Sequence, residues 1–309
     1  MKIFLIEILN AYFDLFLFLK HSFKINKLKN KDQYVAYLTK QYHIIEKGLS
    51  LPSPRVGFGD SKIKELMVAT IQYIEKFGED KLTESIVSTL NDYITFNSEK
   101  DFTSSLIEDI RNFIKNKAFD NSGGRRKILK KNMKSSIFNY EDFFKSRASI
   151  RDFESTKINK DILIKAIDIA KYSPSVCNRQ GWKVHIYDGE IIQDLLSLQY
   201  GAKGYSNSVN TLAIVTGDRN FFTSLERNQI GIDGGMFSMS LILALQSLEL
   251  GTCPLNACFT FNNEKRVKKL SKIPENEKII MFIAIGNLKD EFYVAKSERR
   301  SNETFITFH

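Results

Sequence analysis

The sequence predicts an α+β domain preceded by an all-helical region, with the change near residue 131. Three observations carry this expectation. Residues 1–117 place apolar side chains at helical spacing and show no strand-like alternation. After about residue 140, β-rich runs appear at 183–189 (KVHIYDG), 211–217 (TLAIVTG) and 278–286 (KIIMFIAIG), each bounded by Gly or polar residues. Between the last two lies GGMFSMSLILALQSLELG, helical in length and apolar nearly all round, which must be buried on every side. A buried helix with strands on either side of it in sequence is an α+β arrangement.

The first segment, MKIFLIEILNAYFDLFLFLK, is apolar enough to suggest a signal peptide or a membrane span. No small-residue cleavage site follows it, and Lys20, His21 and Lys24 come next. Glu7, Asn10 and Asp14 fall on one narrow helical stripe, and two acids in so short a run argue against a spanning helix. The pattern predicts an amphipathic helix. It either packs on the rest of the protein or a dimer partner, or lies on a membrane surface helped by the basic residues that follow.

A second helix is expected over KDQYVAYLTKQYHIIEKGL, stopped at Gly48, and LPSPRVGFG (51–59) reads as a loop. Further helices are expected near 61–77, 80–96 and 102–117. The stretch 118–131, AFDNSGGRRKILKK, reads as a linker, because no aromatic residues interleave its basic run as nucleic-acid binding would favour. This divides the chain into a helical region with linker, 1–131, and a second domain, 132–309.

The formal net charge of +9 suits anionic ligands, although scattered lysines supply much of it. Cys177, Cys253 and Cys258 form no zinc pattern, and a sparse, odd set points to reduced thiols in the cytoplasm. No pair among the four histidines has metal-ligand spacing, so no metal is expected. Neither G-x-G-x-x-G nor a Walker A sequence occurs.

Two short segments carry chemistry. In Ser146–Phe153 (SRASIRDF), an extended backbone would put Arg147, Ser149 and Arg151 on one side and Ile150 on the other. Two guanidinium groups and a hydroxyl on one face suit a phosphate. Surface arginines paired with Asp152 and Glu154 would give the same pattern. In 173–182 (SPSVCNRQGW), small polar side chains, an amide pair and the only Trp suit a loop that hydrogen-bonds a planar heterocycle. A capped turn beside a core Trp would look alike. Joining the two is a helix over 157–172 that opens at Asn159, a good N-cap.

Taken together, these segments resemble the nitroreductase family, whose members carry R-x-S-x-R-x-F, then a helix, then P-S-x-x-N-x-Q-P-W. The counterparts are Arg147, Ser149, Arg151 and Phe153, followed by Pro174, Ser175, Asn178, Gln180 and Trp182. Asp233-Gly234-Gly235, Leu250-Gly251-Thr252-Cys253 and the tail arginines Arg299 and Arg300 continue the pattern over roughly 140–309. Two positions depart from it. Gly181 stands where the family usually has Pro, and Pro254-Leu255-Asn256-Ala257 replaces an aromatic-aliphatic-Gly-Gly run. The string HIIEKGLSLPSPRVGFG also looks like a segment found ahead of such domains in bacterial proteins encoded near surface-polysaccharide genes. There His43, Glu46, Lys47 and Arg55 form either a polar site or structural salt bridges.

The resemblance implies a nitroreductase-like fold, with a central mixed or antiparallel sheet flanked by helices. It implies a homodimer with FMN shared between subunits and NADH or NADPH as reductant. Arg147, Ala148, Ser149, Arg299 and Arg300 would hold the phosphate end, with Arg151 near the ribityl chain or pyrimidine. Leu255 and Asn256 would lie near the flavin ring. Pro174, Ser175, Val176 and Asn178, in the loop 174–178, would reach the flavin from the other subunit, Gln180 would also bind the cofactor, and helix 234–250 would form the interface core. Flavin supplies the hydride chemistry, so no acid–base residue is expected.

Overall fold

The computed structural model describes residues 2–23, 28–49, 51, 54–118, 121–125, 139–292, 294, 302–304 and 306–309. Its helical region comprises α1 (Lys2–His21), α2 (Lys31–Leu49), α3 (Asp60–Phe77), α4 (Lys81–Ser98) and α5 (Ser105–Ile114). Caps fix the starts of the last two. The Asp80 carboxylate accepts from Leu82 N–H at the head of α4, and the Ser104 hydroxyl accepts from Ile107 N–H at the head of α5. The apolar faces close on one core that includes Ala36, Ile45, Leu66, Tyr73, Leu90 and Ile110.

Gly48 does not stop α2. It sits inside the last turn, where a Cβ would fall 2.2 Å from the Phe58 ring, so its role is to admit that ring. Residues 121–125 fold onto α4: Ser88 Oγ donates to Gly123 O, and Arg125 pairs with Asp92 and Glu99. His43 pairs with Glu46 at 2.9 Å, and Gly124 N–H donates to the same carboxylate, so this cluster is structural. The Lys47 side chain lies outside the described residues, and Arg55 is exposed.

The second part runs α6 (Tyr140–Ser146), α7 (Lys160–Ala170), β1 (Trp182–Asp188), α8 (Ile191–Leu198), β2 (Thr211–Asp218), α9 (Gln229–Ser247), β3 (Leu250–Asn256), α10 (Phe261–Ser271) and β4 (Glu277–Asn287). The strands form one antiparallel sheet in the order β1-β2-β4-β3. Side chains alternate across it. Ala213, Val215, Ile283 and Ile285 meet α7 and α9 on one face, while Leu212, Ile214, Phe282 and Ala284 meet α8 and α10 on the other. The α+β class is thus as expected, and every named strand pairing is antiparallel.

Strand β3 is not among the runs the sequence marks as strands. It is an edge strand, where Pro is tolerated. Thr252 O accepts from Ile150 N–H on the outer side at 2.8 Å, and main-chain groups alternate, so Pro254 also faces outward and costs no bond to β4.

The two parts meet along residues 219–223. Phe23 N–H donates to Phe222 O, Asn30 and Gln33 reach the Asn220 amide oxygen, and Phe18 packs on Phe222 and Ile230.

Candidate functional site

The segment after α6 is extended and forms a parallel bridge from Ser149 to Thr252, extending the sheet past β3. Phe153 anchors it. Gly251 and Gly286 are cross-strand partners, and the Phe153 ring rests on both, where any Cβ would intrude. Ile150 and Phe153 are buried, Arg151 and Asp152 are exposed, and Arg147, Ala148 and Ser149 are half-buried. Asp152 pairs with Lys289 at 2.6 Å rather than with an arginine, and the Arg151 guanidinium reaches only the Ser149 carbonyl at 3.4 Å. Among the described residues, neither Arg147 nor Arg151 has a carboxylate partner, so both guanidinium groups are available to an anion.

A cavity of about 800 Å³ touches Ala148, Ile150, Gln246 and Leu288 and lies against the even-numbered side of this segment. It does not include Arg147, Ser149 or Arg151, whose face is the one that carries the charge. The Ala148 side chain therefore lines this cavity and not the guanidinium face.

Along β3 from this point, Leu255 turns its side chain into the core and Asn256 is exposed. The Asn256 amide oxygen accepts from Cys258 N–H, and its main-chain carbonyl accepts from Gln199 Nε2. Four residues of strand separate Thr252 from Asn256, roughly 13 Å, so cation face and strand end lie along one edge. Tyr205 donates to Cys253 Sγ at 3.3 Å beneath this edge, and burial pushes the Tyr205 phenol up.

The loop 174–180 is built differently. Val176 N–H donates to the Asp233 carboxylate at 3.1 Å, and Gln229 donates to the same group. Burial pushes the Asp233 carboxyl up against the lowering effect of these donors. Gln180 N–H donates to Ser175 Oγ. Cys177, Asn178 and Gln180 all have left-handed φ near 50°, a costly conformation for non-glycine residues that persists only where surroundings enforce it. The enforcing groups include Arg179 and Glu226, which the sequence reading missed. Arg179 is buried, donates through Nε to Val176 O, pairs with Glu226 at 2.8 Å and lies over the Phe222 ring. Burial raises the Glu226 carboxyl, but Arg179 and Thr223 N–H outweigh it and hold it low. Pro174, Asn178 and Gln180 remain exposed. Gly181 has a reason of its own: a Cβ there would lie 2.8 Å from Phe221 Cβ.

Helix α9 measures the distance between the two clusters. Asp233 holds Val176, and Gln246 donates to Ser146 Oγ. The helical rise of 1.5 Å per residue separates these anchors by about 20 Å. Arg299 and Arg300 lie outside the described residues.

Residues 144–202 match the family model described as "Nitroreductase family", a stretch that contains both clusters. This segment is similar to the nitroreductase family. Over 53 residues the chain is 40% identical to a 4-nitrobenzoate reductase of Pseudomonas putida, covering 17% of this chain and 23% of that enzyme. The match thus spans under a quarter of the curated relative. Among solved structures, a nitroreductase family protein from Streptococcus pneumoniae TIGR4 is 18% identical, with TM-score 0.47 over 55% of this chain and 100% of that one. An FMN-dependent nitroreductase from Clostridium difficile R20291 is 21% identical, with TM-score 0.46 over 54% and 96%. The nitroreductase-family segment ends at α8 and its following turn, so β2, α9, β3 and β4 complete the site from outside it.

Proposed function

We propose that the protein is an FMN-dependent oxidoreductase that takes hydride from NADH or NADPH and delivers it to an oxidised small molecule such as a nitro compound or quinone. The observation that carries this reading is the Arg147–Ser149–Arg151 face, held on the sheet edge by Phe153 with its guanidinium groups uncommitted. These groups fit the FMN phosphate and its polar chain. When bound, FMN supplies hydride acceptance and donation, which accounts for a site without an acid–base pair.

Arg147 and Ser149 would hold the phosphate, with Arg299 and Arg300 as further cations. Arg151 would sit toward the ribityl chain or pyrimidine. Asn256 at the strand end would orient the ring. In a homodimer, Pro174, Ser175, Asn178 and Gln180 of one copy would complete the site of the other. The Val176 N–H is already given to Asp233, so Val176 would contribute shape alone.

Two features support a dimer. The loop and the cation face stand about 20 Å apart at opposite anchors of α9 in one chain. The outward side of α9 carries Ile232, Gly235, Met236, Met239 and Leu243, and a Cβ at Gly231 or Gly235 would meet open space, so a second helix could approach closely. Gln229–Ser247 is the one described helix long and apolar enough to cross a membrane, and half of it is buried. A half-buried apolar side on an otherwise buried helix suits a subunit interface.

The test is the visible spectrum of the purified protein, followed by NADH and NADPH oxidation with nitro and quinone acceptors. Stoichiometric FMN and turnover are expected. A colourless protein that takes up no added FMN would overturn the reading. Bound FMN without turnover of any general acceptor would instead support a dedicated redox step, or a flavin-holding dimeric scaffold in surface-polysaccharide assembly.

A further inference from the structure

The dimer reading leaves one large apolar surface unused. On α1, Leu5, Ile8, Tyr12, Leu15, Phe16 and Leu19 are all 46–66% exposed. At 3.6 residues per turn they fall within about 120° of arc and about 21 Å of length. The opposite face is spent on the protein: Leu17 and Phe18 are buried, and Asp14 faces Lys278 at 3.4 Å. No acid lies within the exposed stripe.

What covers the stripe is indicated by its flank. Helix α10 packs beside α1, with Phe13 against Phe261 and Lys265 over the Phe13 ring at 5.1 Å. The one acid of α10, Glu264, is committed to the buried Lys268 at 2.9 Å. Lys265, Arg266 and Lys269 are exposed, and none has a carboxylate partner among the described residues. A half-exposed apolar stripe beside unpaired cations fits an anionic, apolar surface. A second copy seated on the same stripe would bring its own basic α10 alongside, like charge against like.

We propose that α1 and α10 together form a docking face for an anionic lipid bilayer. The stripe enters the headgroup–acyl boundary, and the α10 cations contact the headgroups. Docking this way would place the oxidoreductase domain at a membrane surface without any spanning helix, and would give it access to acceptors dissolved in lipid.

The experiment is flotation of the full-length protein with vesicles of phosphatidylcholine alone or containing phosphatidylglycerol. Binding to the anionic vesicles, weakened by added salt, is expected. The triple substitution Lys265→Glu, Arg266→Glu, Lys269→Glu should reduce it on the order of a hundredfold, since each surface cation is worth roughly a fivefold change. Ile8→Glu with Phe16→Glu should abolish it. Far-UV circular dichroism on all variants shows whether they fold, and the charge variant tests the proposal even where the apolar one does not fold. Equal binding to neutral vesicles would overturn the proposal. So would absence of binding together with self-association that the stripe substitutions remove, which would assign the face to a second copy.

Discussion

Substitution of Gly286 by Ala tests whether the Phe153 anchor positions the cation face. A Cβ at 286 would lie 2.5–2.6 Å from Phe153 Cγ, Cβ and Cδ1, whereas carbon atoms pack at about 3.5–4.0 Å, so the ring must retreat by about 1 Å. The ring has little room, because Phe153 is buried and also rests on Gly251. Overpacking of this kind costs about 1–3 kcal/mol. Replacing a strand glycine returns about 0.5–1 kcal/mol of chain entropy, so a net loss of about 0.5–2 kcal/mol is expected in urea denaturation. The displacement passes to the site because Ile150 and Glu154 N–H groups pin the chain on either side of the moving ring. FMN affinity, followed by flavin fluorescence quenching, should therefore fall on the order of tenfold, the worth of one hydrogen bond to a charged group. Phe153→Ala in the Gly286→Ala background should cost less than the sum of the two single changes, since it removes the Cγ and Cδ1 contacts of the new methyl and leaves only Cβ beside it. Additive effects of the two changes, or wild-type stability and affinity in Gly286→Ala alone, would refute the anchoring argument.

Other expectations follow from the same geometry. Arg147→Ala should weaken FMN binding by about 1.5–3 kcal/mol in a titration. Arg125→Ala, which breaks contacts to Asp92 and Glu99 in the helical region, should leave flavin affinity unchanged while lowering the melting temperature slightly. Ser240→Arg, on the outward side of α9, should convert a homodimer to monomer in light scattering and release FMN; a monomer of the unaltered chain that keeps its flavin would contradict the shared site. Glu277 gives a pH dependence. Burial raises its carboxyl, but hydrogen bonds from His185 and Thr216 and the charges of Lys183 and His185 outweigh that and bring it from 4.5 down to about 2. A depressed acid contributes stability in full above its unfolded value, so this contribution, at most about 3 kcal/mol, should be lost as pH falls from 4.5 toward 2. Glu277→Gln should flatten the urea midpoint over that window, and an unchanged profile would mean the cluster is not coupled to folding.

The sequence made those parts of the fold legible where periodicity and punctuation agree. Asn159 caps α7 as its side chain requires, and the runs at 183–189, 211–217 and 278–286 became β1, β2 and β4 within a residue or two. Strand β3 was hidden because Gly251 and Pro254 carry turn character locally. Their actual roles, a seat for Phe153 and a bond-free edge position, are set by residues far away in sequence. The proposed phosphate-binding face was legible because Arg147, Ser149 and Arg151 lie within one short extended segment. The support of the other loop was not. Asp233 and Glu226 reach Val176 and Arg179 across 57 and 47 residues, and no spacing rule connects a helix head to a loop that far upstream. Asp233 carried a signal only through the family motif, and Arg179 none beyond its place inside the loop.

That support also explains what the helical region does for the site. A loop with three left-handed non-glycine residues is stable only if its neighbours leave it no alternative. Asp233 fixes it from below, and Arg179 clamps it against Phe222. Helix α2 packs against Val176–Asn178 and against Arg219–Phe221, closing the remaining side. The same 219–223 stretch takes hydrogen bonds from Phe23, Asn30 and Gln33. The helical region is therefore part of the wall that holds the loop in the shape a partner's cofactor would meet. Because α1 continues from that wall to the exposed stripe beside α10, a contact made at the stripe bears on the same 219–223 stretch, through Phe18 on Phe222 and through Lys20 on Glu275, whose carbonyl accepts from Arg219.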